Sequence, residues 1–218
     1  MDTAYSFGNG EANWSVRTSA HPTRWCSVGE RPASGRERKL ERTELPEDIE
    51  SLTKEQLQEL LSDMAKRWLA HDGLWFQAVE RAHGMDDAIR LDAEAWYGMT
   101  RNEATRILRF LGAEQGGGLD LLDRALRFRL YALLNDQESE RVSEDTLVFR
   151  MRTCRVQEAR RRKGLPDFPC KSVGIVEYSG FAETIDPRIE TEVIACPPDD
   201  TPRDYACAWR FTLKDSAS

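Results

Sequence analysis

Four cysteines in the second half of the chain, Cys154, Cys170, Cys196 and Cys207, are the residues best suited to chemistry. Their gaps are 15, 25 and 10 residues, and no CxxC pair occurs among them. That is not the spacing of a zinc finger or ribbon. Their expected places in the fold say more. Cys154 closes a strand and Cys170 opens a helix after Pro169. Cys196 closes a second strand, and Cys207 begins its antiparallel partner, which puts those two at one end of a hairpin ladder. A helix N-terminus favours the thiolate, the form that binds metal. Three or more of these thiols meeting at one point would hold zinc or an iron–sulfur cluster. Two other readings stay open. Free cysteine also packs as a small hydrophobe, and Cys207 shares a strand face with Trp209 and Phe211. A redox thiol would need exposure and a lowered pKa.

The segment WLAHDGLWF places His71 between Trp68 and Trp75 on the apolar stripe of a helix. Asp92 lies on the Ile89–Trp96 side of the next helix. A buried carboxylate is costly unless paired. If the two helices form a hairpin, His71 and Asp92 could meet as a general base and its orienter, or as a structural hydrogen bond. Trp75 would help wall a small-molecule pocket. Lys171 and Arg188 could orient a ligand carboxylate. The run Arg160-Arg161-Arg162-Lys163 reads as a solvated helix end, with cations at the negative terminus. P-loop, GxGxxG, GxSxG, HExxH and EF-hand patterns are absent from the sequence, which weighs against nucleotide and serine-hydrolase chemistry.

These residues need a scaffold, and the hydrophobic pattern describes an α+β one. Antiparallel N-terminal helices pack with a small C-terminal antiparallel sheet and two short helices. Residues 47–135 are the helical part. Thr53 and Gln56 form a capping box ahead of Leu57, Leu60, Leu61, Met64 and Trp68, and Gly73 is a candidate break. A second helix runs from about Asp87 to Leu111. A third, strongly apolar, covers Leu119–Leu134; its apolarity hints at a homodimer. Residues 136–218 are the cysteine-bearing part. Strands are expected at Gln137–Val142, Thr146–Thr153, Ile189–Ala195 and Tyr205–Leu213, with helices at Cys154–Lys163 and Cys170–Thr184.

Residues 1–46 differ from the rest. They are rich in Gly, Ser, Arg and Pro, show no period of 2 or 3.6, and read as a disordered extension. They carry seven Lys/Arg against six Asp/Glu, so the remainder is more acidic than the −7 of the whole chain. Residues 46–213 then form one globular unit. The acidic balance argues against nucleic-acid binding. No apolar run spans a membrane and no leader pattern opens the chain, so the expected location is cytoplasmic.

Several segments carry a family resemblance: HDGLWF at 71–76, DAEAW at 92–96, LRFRLYALLN at 126–135, LVFRM at 147–151 and CRVQ at 154–157. So do GLPDFPCKSVGIVEYSGFA at 164–182, IDPRIETE at 185–192, CPPD at 196–199 and CAWRF at 207–211. Together they resemble an uncharacterised bacterial family of small cytosolic proteins, a domain of unknown function, over about residues 50–213. More loosely, the layout is similar to aminothiazoline-carboxylate hydrolase-like proteins and vinyl-reductase-type ligand-binding domains. That likeness implies a pocket for a small organic ligand, with cysteines able to bind metal. The leading expectation is therefore a cytoplasmic metal- or iron–sulfur-binding protein with a small-molecule pocket, acting as a hydrolase of a C–N or C–S bond. The alternatives are a non-catalytic ligand-binding or sensor module with structural cysteines, and a thiol redox protein.

Overall fold

Thr53 starts the first helix as its residue type predicts. The Gln56 N–H donates to Thr53 Oγ1 at 3.2 Å and the Thr53 N–H donates to Gln56 Oε1 at 2.9 Å. In this computed structural model, which describes residues 46–200 and 203–214, the helix α1 runs Lys54–His83. Gly73 does not break it, because one helical glycine costs only about 1 kcal/mol, little within a helix of 30 residues. Gly84, at φ 89°, turns the chain directly into α2, Met85–Leu111. The two helices run antiparallel, with Trp68 edge-on to Trp96 at 6.1 Å. Gly112, left-handed at φ 63°, ends α2.

The third helix is shorter than its apolar pattern predicts. α3 covers Gly118–Leu126, Arg129 is extended, and a 3₁₀ turn follows at Leu130–Leu133. The cause is electrostatic. Arg129 is 2% exposed and reaches Glu103 at 2.9 Å and Glu177 at 2.6 Å. The Leu130 N–H donates to Glu103 Oε1 at 3.3 Å instead of to a helical carbonyl.

The remaining elements are β1 Gln137–Ser143, β2 Thr146–Met151, α4 Arg155–Arg162, α5 Lys171–Ile185, β3 Ile189–Ala195 and β4 Cys207–Leu213. The strands form one antiparallel sheet in the order β1-β2-β4-β3. α5 lies between α2 and this sheet. Phe181, Ala182 and Ile185 share a core with Ile107 and Leu108 of α2 and with Phe149 and Phe211 of the sheet. Two glycines of α5 permit that approach. A Cβ on Gly180 would meet Thr100 at 2.8 Å, and one on Gly174 would meet the Trp209 ring at 2.8 Å. Among the described residues no helix is long and apolar enough to cross a membrane. The expected disorder of residues 1–46 and the course of 201–202 lie outside the described residues, Pro46 apart.

Candidate functional site

The loop between α4 and α5 sets the position of the first thiols. Gln157 is buried on α4, and its amide makes both hydrogen bonds of a strand-like pair with Phe168: Nε2 to the carbonyl at 2.7 Å and Oε1 from the N–H at 2.8 Å. This pins LPDFP so that Cys154 precedes α4 and Cys170 precedes α5. The Lys171 N–H donates to Pro197 O at 2.9 Å, drawing the end of β3 onto the start of α5. As a result Cys170 Sγ lies 3.6 Å from Cys196 Sγ. Cys207, next to Ala208 in the β3–β4 ladder, adjoins the same end.

All four thiols line one cavity of about 470 Å³, bounded by α1, α2, the 3₁₀ turn, α4, α5 and the ends of β2 and β4. Six aromatic rings form part of its wall. Phe76 lies 4.5 Å from Phe168, Trp96 stacks on Tyr131 at 6.0 Å, and Tyr178 stacks on Trp209 at 4.6 Å. Trp209 is 1% exposed, and its buried Nε1–H has no hydrogen-bond partner among the described residues. The neighbouring Cys207 sulfur is only a weak acceptor for it. An unmet buried donor is uncommon and costs about 1–3 kcal/mol, so it marks a place where a ligand acceptor would be favoured.

Three carboxylates reach the same cavity: Asp72, Asp92 and Glu177. Burial pushes Asp92 up to about 7, with the like charges of Asp72 and Glu177 adding to it. Burial also raises Asp72, against the pull of His71. Glu177 is raised by burial although Arg129 opposes this. Among the thiols, burial pushes Cys154 up to about 12. Cys196 is raised by its contacts with Cys170 and Cys207, while Cys207 is lowered by its contact with Cys196 and, to a lesser degree, by Trp209.

Several expected site residues stand elsewhere. His71 is exposed and is not among the residues lining the cavity; its neighbour Asp72 takes the place facing Asp92. Trp75 is 69% exposed and lies outside the cavity lining. On the stripe they share, Trp68 touches Trp96 of α2, while the buried residues of α1 are Ala65 and Leu69. Lys171 pairs with Asp199. Arg188 pairs at 2.7 Å with Asp186, which also accepts the Gly118 N–H at 2.9 Å. Both cations serve loop geometry. Arg160, read as a solvated helix end, is buried and forks onto Glu80 at 2.7 and 2.9 Å. Sequence reasoning missed Gln157, Glu177 and the Trp209 donor. Only Glu177, an acid inside the apolar run SVGIVEYSGFA, left a visible signal.

Two thiolates on one tetrahedral zinc stand about 3.8 Å apart, which the Cys170–Cys196 spacing matches. Among the described residues, however, no three His, Cys, Asp or Glu side chains are grouped so as to hold an ion.

A family model for the family of unknown function DUF6125 matches residues 50–213. The chain belongs to that family. None of the curated proteins compared with it matches. The DUF6125 match spans both long helices, all four cavity thiols and the three acidic groups, so the whole cavity falls inside the family's common region.

Proposed function

We propose that this chain is a cytoplasmic protein that binds a small organic molecule in the thiol-lined cavity. The observation that carries the reading is the meeting of a half-buried carboxyl and a poorly satisfied indole N–H in one cavity that six aromatic rings help to wall. Burial holds Asp92 near 7 although Trp96 donates to it, and Trp209 Nε1–H has only the weak Cys207 sulfur as acceptor. A ligand with a hydrogen-bonding or cationic group for Asp92 and an acceptor for Trp209 would satisfy both. The loose likeness to aminothiazoline-carboxylate hydrolase-like proteins and vinyl-reductase-type domains supports the same reading. An acid poised near pH 7 also suits general acid–base chemistry. Asp92, not His71, is therefore the group we assign to a hydrolysis of a C–N or C–S bond.

The test is a thermal-shift screen of small amines, amino acids and heterocycles, repeated on an Ala159→Trp variant that fills the cavity. A hit whose shift disappears in the filled variant supports the reading. A screen in which every shift survives the filling would overturn it.

A second reading has its own observation, the 3.6 Å sulfur separation. Cys170 and Cys196 would supply two thiolates to zinc or an iron–sulfur cluster, with Cys154 and Cys207 drawn in from the same wall. Metal content and the absorption spectrum of anaerobically purified protein test it. Substoichiometric metal, below about one ion per several chains, would remove it.

A further inference from the structure

Helix α1 carries a second pattern, of which Trp68 touches Trp96 of α2 and no member lines the cavity. From Leu57 the chain steps 4-3-4-3-4 through Leu61, Met64, Trp68, His71 and Trp75. That is the heptad spacing of a coiled-coil seam. The residues that α1 buries against its own chain, Ala65 and Leu69, lie on a different side. The seam is left exposed: Leu61 and Met64 are each 54% accessible. Its side chains present on the order of 600 Å² of mostly apolar surface, as much as the largest patch on a typical monomer and close to the ~800 Å² per partner of a standard interface.

We infer that this face of α1 pairs with the same face of a second copy of the chain, the two helices running antiparallel about a two-fold axis near residue 66. Three features choose this occupant. The seam is graded in size: slim Leu57, Leu61 and Met64 occupy one half, and bulky Trp68, His71 and Trp75 the other. Antiparallel pairing sets Leu57 opposite Trp75, Leu61 opposite His71 and Met64 opposite Trp68, so each large side chain meets a small one, as a dense interface requires. Parallel pairing would stack tryptophan on tryptophan. The charges follow the same direction. The half before the axis is net acidic, with Glu55, Glu59 and Asp63 against Lys54, and the half beyond it balances Arg67 and Arg81 against Asp72 and Glu80, so antiparallel pairing keeps the two acidic halves from meeting. Finally, Trp68 is already held edge-on by Trp96, which reduces the entropy lost when it becomes an anchor.

Sedimentation equilibrium of the full chain over micromolar concentrations tests the proposal. The expected result is a dimer, weakened about a hundredfold or more by Leu61→Glu, a change made twice at one two-fold interface. Adding His71→Lys should restore dimerisation, because antiparallel pairing sets residue 71 against residue 61 of the second copy. Both positions are exposed, and circular dichroism verifies that each variant is folded. Trp75→Gln, likewise exposed, provides an independent disruption. A wild-type chain that stays monomeric overturns the inference, whether residues 1–45 or an unrelated protein then cover the face. So does a Leu61→Glu chain that dimerises as wild type, or a double variant that gains nothing.

Discussion

Two buried acidic sites lie within reach of each other on the inner faces of the helices, and they are built on opposite terms. At the first, Arg129 sits between Glu103 and Glu177 at 2.8 and 2.6 Å and lies 4.7 Å above the Phe181 ring. At the second, half-buried Asp72 and Asp92 face one cavity, Trp96 donates to Asp92, and Asp72 pushes Asp92 further up. The first arrangement holds three elements, α2, α5 and the segment after α3, in fixed register. The second leaves a carboxyl that burial and a like charge raise to about 7. Paired charge in the interior serves architecture here, and the like-charged pair is the place where the proposed ligand would act.

The comparison can be broken most forcefully at Arg129. Arg129→Met would leave Glu103 and Glu177 buried without a partner, and we expect a loss of about 3–5 kcal/mol in urea unfolding. Adding Glu177→Gln should recover part of that loss. A loss below about 1 kcal/mol would mean that the network is not structural.

Asp92→Asn should act in the other direction, by an amount that grows as pH rises from about 4 to about 7. The folded-state pKa of Asp92, about 7, exceeds an unfolded value of roughly 3.9. Between those pH values the folded chain holds a proton that the unfolded chain releases, so stability falls as pH rises through this window. Removing the ionisable group should stabilise the protein by about 2–4 kcal/mol at pH 8 and change little at pH 4. Equal effects at the two pH values would end the contrast with the Arg129 site.

A finer test is Asp72→Asn. It removes the neighbouring charge and should lower the Asp92 midpoint, an effect under about 1 kcal/mol, read from carbon NMR of labelled carboxyls. The smallest expected effect belongs to His71→Ala, which should leave both the Asp92 titration and ligand-induced thermal shifts unchanged. A displaced titration would restore His71 to the site.

Much of the scaffold was legible because its signals are local. The Thr53–Gln56 box, the glycines at 84 and 112 and the alternation in β2 and β4 each act through hydrogen bonds or side chains a few residues apart. The errors share one cause. Helical spacing identified an apolar stripe through Trp68, His71 and Trp75, but spacing cannot say what covers a stripe, and here Trp68 meets Trp96 while His71 and Trp75 stay exposed and Ala65 and Leu69 are the buried residues. The apolar row from Leu119 to Leu133 concealed a buried arginine whose carboxylates lie 26 and 48 residues away. Arg160, alone in the basic run at 160–163, is buried, and it looked solvated because its partner Glu80 is 80 residues distant.

By itself, then, the sequence determined the number and nature of the elements, the caps that end them, and four thiols at element ends. Tertiary structure alone decided that those thiols share a wall with Asp72, Asp92 and Glu177, and that His71 does not join them. The physical reason is range. Propensity and capping are settled within one or two turns, whereas burial of a charge or an indole N–H is settled by whichever distant segment arrives beside it, as Thr100 does when it donates to the Glu177 carbonyl at 2.8 Å.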